Sequence, residues 1–170
     1  MKKKLFLMGL IMSVLISVGM GLLSSFLVIR FNPDIVRMSP VPMIFISNTA
    51  ASIITGLLVF FLIPLGKLGA MLANKAGAKA PSLKFALINS IPMSVGNTVI
   101  ISLVVSLLGA VSARLRAPAE ALANMPPLPV MWLGTWAKLL LPTLVASYVL
   151  AVILAPLISK LLGLNSPGKD

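Results

Sequence analysis

The sequence predicts an all-α integral membrane protein whose four transmembrane helices form two tandem helical hairpins in the same orientation. Of its 170 residues, 59% are hydrophobic and 10% are charged, whereas soluble domains carry about 25% charged residues. Four apolar runs are long enough to cross a bilayer, which takes about 20 residues, and the second pair of runs repeats the pattern of the first. We therefore expect one hairpin in residues 1–76 and the other in residues 77–170.

The first hairpin is predicted to cross the membrane at about residues 5–29 and 43–66. Its first run follows the basic start Met1–Lys4 and is longer than the ~7–15 apolar residues of a cleaved secretory signal, so we expect it to be retained. The connector contains Asn32-Pro33-Asp34, which predicts a turn. The lysine-rich residues 67–84 follow the second span and should be flexible or partly helical.

The second hairpin is predicted to cross the membrane at about residues 84–110 and 138–162. Pro92 lies inside the first of these runs, where its missing N–H removes a backbone hydrogen bond and favours a kink. The connector between the two runs is long enough to hold a short interfacial helix over residues 117–124.

Two tryptophans stand just before the fourth predicted span. Trp132 and Trp136 are four residues apart, so they share one helix face, and we expect them in the aromatic belt at the lipid–water boundary. Lys138 follows them, and its long side chain should extend to the same boundary.

The composition argues against several classes of function. The chain has no cysteine and no histidine, and its three acidic residues, Asp34, Glu120 and Asp170, all lie outside the predicted spans. Thiolate and imidazole chemistry are therefore absent, and no serine has a base to activate it. We expect no enzyme, no catalytic residue, no metal site and no cofactor. The net charge of +11 comes from residues that flank the apolar runs, so we expect no nucleic-acid partner.

The distribution of basic residues predicts the orientation. Most lysines lie at the two termini and in residues 67–84, whereas the two connectors hold only Arg30, Arg37, Arg114 and Arg116. Cytoplasmic loops carry the excess of Lys and Arg. Both termini should therefore face the cytoplasm.

Small residues recur every fourth position in the first and third spans. The residues predicted to pack against other helices are Gly9, Ser13, Ser17, Gly21, Ser90, Ser94, Thr98 and Ser102. Such a stripe lets a second helix approach closely in lipid, where apolar burial alone does not drive association. The first functional hypothesis is thus a non-enzymatic structural or accessory bundle. Its partners are the lipid bilayer and either a second copy, as a homo-oligomer, or another membrane protein.

The two hairpins align as an internal repeat. Met12-Ser13-Val14 corresponds to Met93-Ser94-Val95, and Pro64-Leu65 to Pro156-Leu157. Two spans per unit is an even number, so both copies enter from the same side and should be related by an axis along the membrane normal.

The repeated unit resembles a bacterial two-helix membrane family known only as a domain of unknown function. The second copy carries most of the pattern: Lys84, Met93-Ser94, Trp132 to Trp136 and Ala155-Pro156-Leu157. The first copy has Ile44 and Asn48 in place of the tryptophans. The resemblance implies a small multi-pass protein of the bacterial cytoplasmic membrane, and it assigns no activity and no functional residue.

The alternative hypothesis is a small-solute or ion permease with a polar path formed by Asn97, Asn89, Thr55 and Asn48. At ~1.5 Å per residue, Asn97 lies near the midplane at the level of Thr55, whereas Asn48 lies closer to the outer end. An interhelical hydrogen bond, worth about 0.6 kcal/mol, would also explain these amides. The lack of a carboxylate or histidine in the spans argues against proton coupling and leaves sodium coupling open.

Overall fold

The computed structural model describes residues 2–31, 36, 39–78 and 83–163. The described elements are α1 (Lys2–Phe31), α2 (Val41–Leu62), α3 (Leu65–Lys75), α4 (Leu83–Arg116), α5 (Ala119–Asn124) and α6 (Leu128–Leu161). Four of them, α1, α2, α4 and α6, are long and apolar enough to cross a membrane. The predicted fold class, an all-α bundle with four membrane spans, is confirmed. The predicted turn at Asn32-Pro33-Asp34 and the end of the chain after residue 163 lie outside the described residues.

The four long helices pack as a bundle. The most extensive contacts join α1 to α2 and α4 to α6, and further contacts join α1 to α6 and α2 to α4. α1 and α4 meet over a smaller area. The apolar core lies where α1, α4 and α6 come together, and its buried members are Met12, Ile16, Met20, Ile101, Val105, Ala151, Ala155 and Ile158.

Prolines mark where several helices begin. Pro40 precedes α2, Pro118 precedes α5 and Pro127 precedes α6. A proline suits these positions because its fixed φ is compatible with the first helical turn and its missing N–H would have no partner there. The predicted short interfacial helix is observed as α5.

α2 ends earlier than the second predicted span. Ile63 is extended, with φ −118° and ψ 119°, because the residue before a proline is disfavoured in the helical region. A separate helix, α3, then starts at Leu65 after Pro64. The predicted span ran to residue 66, so Gly66 belongs to α3 instead. The lysine-rich segment that follows α2 is therefore partly helical.

α4 and α6 are longer than the third and fourth predicted spans. α4 continues to Arg116, and α6 begins at Leu128, so the tryptophan pair lies inside α6. Both helices run unbroken through internal prolines, Pro92 in α4 and Pro142 and Pro156 in α6. Membrane helices accommodate such prolines because neighbouring helices and side chains satisfy the freed carbonyls.

Candidate functional site

The candidate site is the set of small and polar residues that lie buried along two helix contacts. The contact of α1 with α2 is named the first seam and includes Ser13, Ser17, Gly21, Thr49 and Gly56. The contact of α4 with α6 is named the second seam and includes Ser94, Thr98, Ser102, Trp136 and Ser147. The serines and the threonine of α1, α4 and α6 in these two sets are buried to 1% exposure or less.

The first seam brings two backbones together at glycines. A Cβ atom added to Gly21 would lie 2.5 Å from Thr49 Cα, and one added to Gly56 would lie 1.9 Å from Ser17 Oγ. Neither position has room for a side chain. Ser13 Oγ donates a hydrogen bond of 2.9 Å to the carbonyl of Gly56. The helices α1 and α2 thus cross at a distance that only glycine permits.

Two further residues of the predicted stripes, Gly9 of α1 and Ser90 of α4, are half-buried and buried, respectively. Gly9 is half-buried beside Phe60, whose ring would be 2.7 Å from an added Cβ. Ser90 is buried one turn before Ser94, and Ser94 Oγ donates to the Ser90 carbonyl at 2.9 Å. Gly56 is not among the packing residues predicted from the sequence, all of which lie on α1 and α4.

The second seam is joined by side-chain hydrogen bonds. Thr98 Oγ1 and Ser147 Oγ are 2.5 Å apart, and Trp136 Nε1 donates to Ser102 Oγ at 3.1 Å. Trp132 Nε1 donates to the carbonyl of Leu103 at 2.9 Å. Ser147 Oγ and Tyr148 OH also donate to carbonyls of α4, those of Ser94 and Leu87, at 3.5 Å each. Several polar contacts therefore join α6 to α4.

Both tryptophans make contacts that the sequence did not predict. The indoles of Trp132 and Trp136 are half-buried and donate to α4. The physical reason is that an indole N–H next to another helix finds its acceptor there. Lys138, by contrast, is exposed on α6.

The buried hydroxyls near the two seams differ in whether they have hydrogen-bond partners. In the second seam, Ser102 Oγ donates to the Thr98 carbonyl at 2.6 Å, and Thr143 Oγ1 donates to the Leu139 carbonyl at 2.6 Å. On α1 and α2, four buried hydroxyls have no hydrogen-bond partner within the described chain: those of Ser17, Ser24, Thr49 and Ser52. The first seam is therefore held by close packing more than by polar bonds.

Asn97 is the most deeply buried amide. It is 2% exposed and lies on the same face of α4 as the core residues Ile101 and Val105, four and eight residues later. Its Oδ1 atom has no hydrogen-bond partner among the described residues, so the predicted bond to Thr55 is not formed by this atom. Asn97 thus places an unsatisfied polar group beside the apolar core.

Of the other three predicted path residues, Thr55 is buried on α2, next to Gly56 in the sequence. Asn89 is half-buried where α3 crosses α4, since a Cβ added to Gly69 would lie 2.3 Å from the Asn89 carbonyl oxygen. Asn48 is buried on α2, two turns from Gly56 towards the connector. The bundle brings Asn89 into the α3 contact, apart from the seams.

The described residues contain no cluster of three or more His, Cys, Asp or Glu side chains that could hold a metal ion. The fold and the two seams define a multi-pass membrane protein of the helical-bundle class. Comparison with known protein families, with curated proteins and with solved structures finds no match to this chain.

Proposed function

We propose that this multi-pass protein is a non-enzymatic structural or accessory component of the bacterial cytoplasmic membrane. The observation that carries the proposal is the use of polar and small residues within the spans. Ser13 bonds to Gly56, and Thr98 bonds to Ser147, so these groups contribute to contacts between helices. Hydroxyl and small-residue contacts of this kind are what hold membrane helices together.

The contact pattern of the bundle supports a tandem duplication. Exchanging the two hairpins replaces α1 by α4 and α2 by α6. The two most extensive contacts, α1 with α2 and α4 with α6, then exchange with each other, and so do the contacts of α1 with α6 and α2 with α4. An axis along the membrane normal would produce this arrangement. The resemblance to the two-helix family, in which each hairpin would be one unit, points the same way.

The orientation follows from the charged ends of the helices. Lys67, Lys75 and Lys84 are exposed at one end of the bundle, and Arg114 and Arg116 lie at the opposite end of α4. The positive-inside rule then places both termini in the cytoplasm. A reporter fused after Asp170 should be active when it requires the cytoplasm, and activity only on the outer side would contradict this orientation.

The structural role is tested with purified protein reconstituted in liposomes and nanodiscs. We expect liposomes as tight to ions and small solutes as protein-free ones, and an assembly of more than one chain by native mass spectrometry. Solute-conducting single chains would contradict the proposal. Leucine at Ser94 or Thr98 is unsuitable for testing assembly between copies, because both residues are buried against α6 and their replacement would disrupt the bundle itself.

A permease is the second candidate, and the unsatisfied Oδ1 atom of Asn97 favours it. A buried amide oxygen without a partner is costly, and polar groups within membrane spans are often functional. In this case, candidate ions or solutes should cross proteoliposomes of the native protein, and Asn97→Leu should abolish the flux. Ser24→Ala, which alters a buried and likewise unpartnered hydroxyl of α1, serves as the control. Equal flux in the native protein and Asn97→Leu would exclude a path at this residue.

A further inference from the structure

α3 is too short to cross a membrane, and it lies along the beginning of α4. Its 11 residues compare with the about 20 that a span requires. Leu65 packs on Gly96, Gly69 on Asn89, and the carbonyl of Ala76 accepts a hydrogen bond of 2.8 Å from Lys84 Nζ. α3 therefore runs antiparallel to the first turns of α4.

α3 lies at the boundary of the membrane. The 22 residues of α2 correspond to about 33 Å at ~1.5 Å per residue, which matches the ~30 Å thickness of the hydrocarbon. α2 ends at Leu62 and α3 begins at Leu65, so α3 starts at the edge of the hydrocarbon and runs beside the first turns of α4 through the headgroup layer.

The surface of α3 has three adjacent rows of different chemistry. The row of Gly69 and Ala73 is buried against α4. Beside it lie Leu68 and Leu72, which are 42% and 47% exposed. The next row consists of Lys67, Met71 and Lys75, which are all exposed. Residues four apart lie one above the other on a helix, so a lysine row runs parallel to a leucine row.

The charge around this surface is of one sign. Residues 41–116 contain no aspartate or glutamate, and Glu120, on α5, follows the opposite end of α4. At this end of the bundle, the described residues therefore include no acidic side chain that could pair with Lys67 or Lys75. The leucine row suits acyl chains, and the lysine row suits a phosphate group with net negative charge.

We propose that α3 is a binding site for an anionic phospholipid, with Lys67 and Lys75 on the headgroup and Leu68 and Leu72 along the acyl chains. The close contact of Gly69 with Asn89 holds the two rows at a constant position relative to the bilayer. Among the described residues the site occurs once, because α6 continues unbroken past Pro156 to Leu161, whereas in the first hairpin α2 ends and α3 begins.

The test compares phosphatidylglycerol with phosphatidylcholine of identical chains, using native mass spectrometry of the purified full-length protein. Each surface lysine contributes about 1 kcal/mol to anionic-lipid binding, so the double variant Lys67→Gln/Lys75→Gln should bind phosphatidylglycerol about 30-fold more weakly. The matched control, Lys138→Gln/Lys160→Gln, removes the same charge from exposed positions of α6 and should bind as the native protein does.

Three results would overturn the proposal. Equal affinity of the native protein for the two lipids would show that the lysines determine topology only. Equal weakening in the control variant would show diffuse charge attraction without a site. Binding of glycerol 3-phosphate with the affinity of the whole lipid would show that the leucine row takes no part.

A second measurement covers the case in which the double lysine variant does not fold. The chain has no cysteine, so Leu72→Cys and Leu133→Cys can each carry a single fluorophore. These leucines have similar exposure, 47% and 49%, on α3 and α6. Brominated phosphatidylglycerol should quench the label at position 72 more than brominated phosphatidylcholine does, and quench the label at position 133 equally. Equal quenching at both positions by both lipids would contradict a site on α3.

Discussion

The two seams join helices in different ways, although the same spacing of small residues leads to both. In the first seam, Gly21 lies against the backbone of Thr49, and Gly56 lies against the side chain of Ser17. In the second seam, a hydroxyl pair and two indole N–H groups connect α4 to α6. Glycine contacts depend on the absence of a side chain, whereas polar contacts depend on particular atoms. An added methyl group should therefore disrupt the first seam, whereas the removal of a hydroxyl should weaken the second.

The largest expected effect is that of Gly21→Ala. The added Cβ would lie 2.5 Å from Thr49 Cα, and backbone cannot move aside as a flexible side chain can. We expect a loss of about 1–3 kcal/mol in the free energy of unfolding, as for overpacking in a dense core. Reversible unfolding in mixed micelles, followed by circular dichroism, measures it.

The control for Gly21→Ala is Gly134→Ala. Gly134 is an exposed helical glycine of α6 with nothing within 4 Å of an added Cβ. This substitution should leave stability unchanged or raise it by up to about 1 kcal/mol, since alanine is the better helix former. If both variants behaved alike, close backbone contact would not explain the first seam.

The sequence predicted the positions of the spans and the faces that carry small residues, because hydrophobicity and spacing depend on local chemistry. It could not predict which helix each face would meet. Pro64-Leu65 and Pro156-Leu157 look alike, yet α2 ends before the first pair and α6 continues through the second. Neighbouring helices decide whether a proline is accommodated. The sequence also predicted a partly helical segment after the second span, but not that this helix, α3, would pack against Asn89 of α4.

A smaller effect is expected for the hydroxyl pair of the second seam. A double-mutant cycle with Thr98→Ala and Ser147→Ala should give a coupling free energy of about 0.6 kcal/mol and at most ~1.7 kcal/mol. The same cycle with Ser17→Ala and Ser52→Ala should give no coupling, because neither hydroxyl has a partner in the described structure. Coupling of equal size in both seams would show that they are held together in the same way.

A further comparison distinguishes two adjacent serines of α1. Ser24 and Ser25 are both fully buried, but only Ser25 donates, at 2.8 Å, to the Gly21 carbonyl. Ser25→Ala should lower the free energy of unfolding by about 0.5–1.5 kcal/mol, the net value of a hydrogen bond. Ser24→Ala removes the same atom and breaks no bond within the described chain, so stability should stay within about 0.5 kcal/mol of the native value. A loss at Ser24 as large as that at Ser25 would mean that its hydroxyl binds a partner outside the four helices, and the first seam would then be an interface as well as an internal contact.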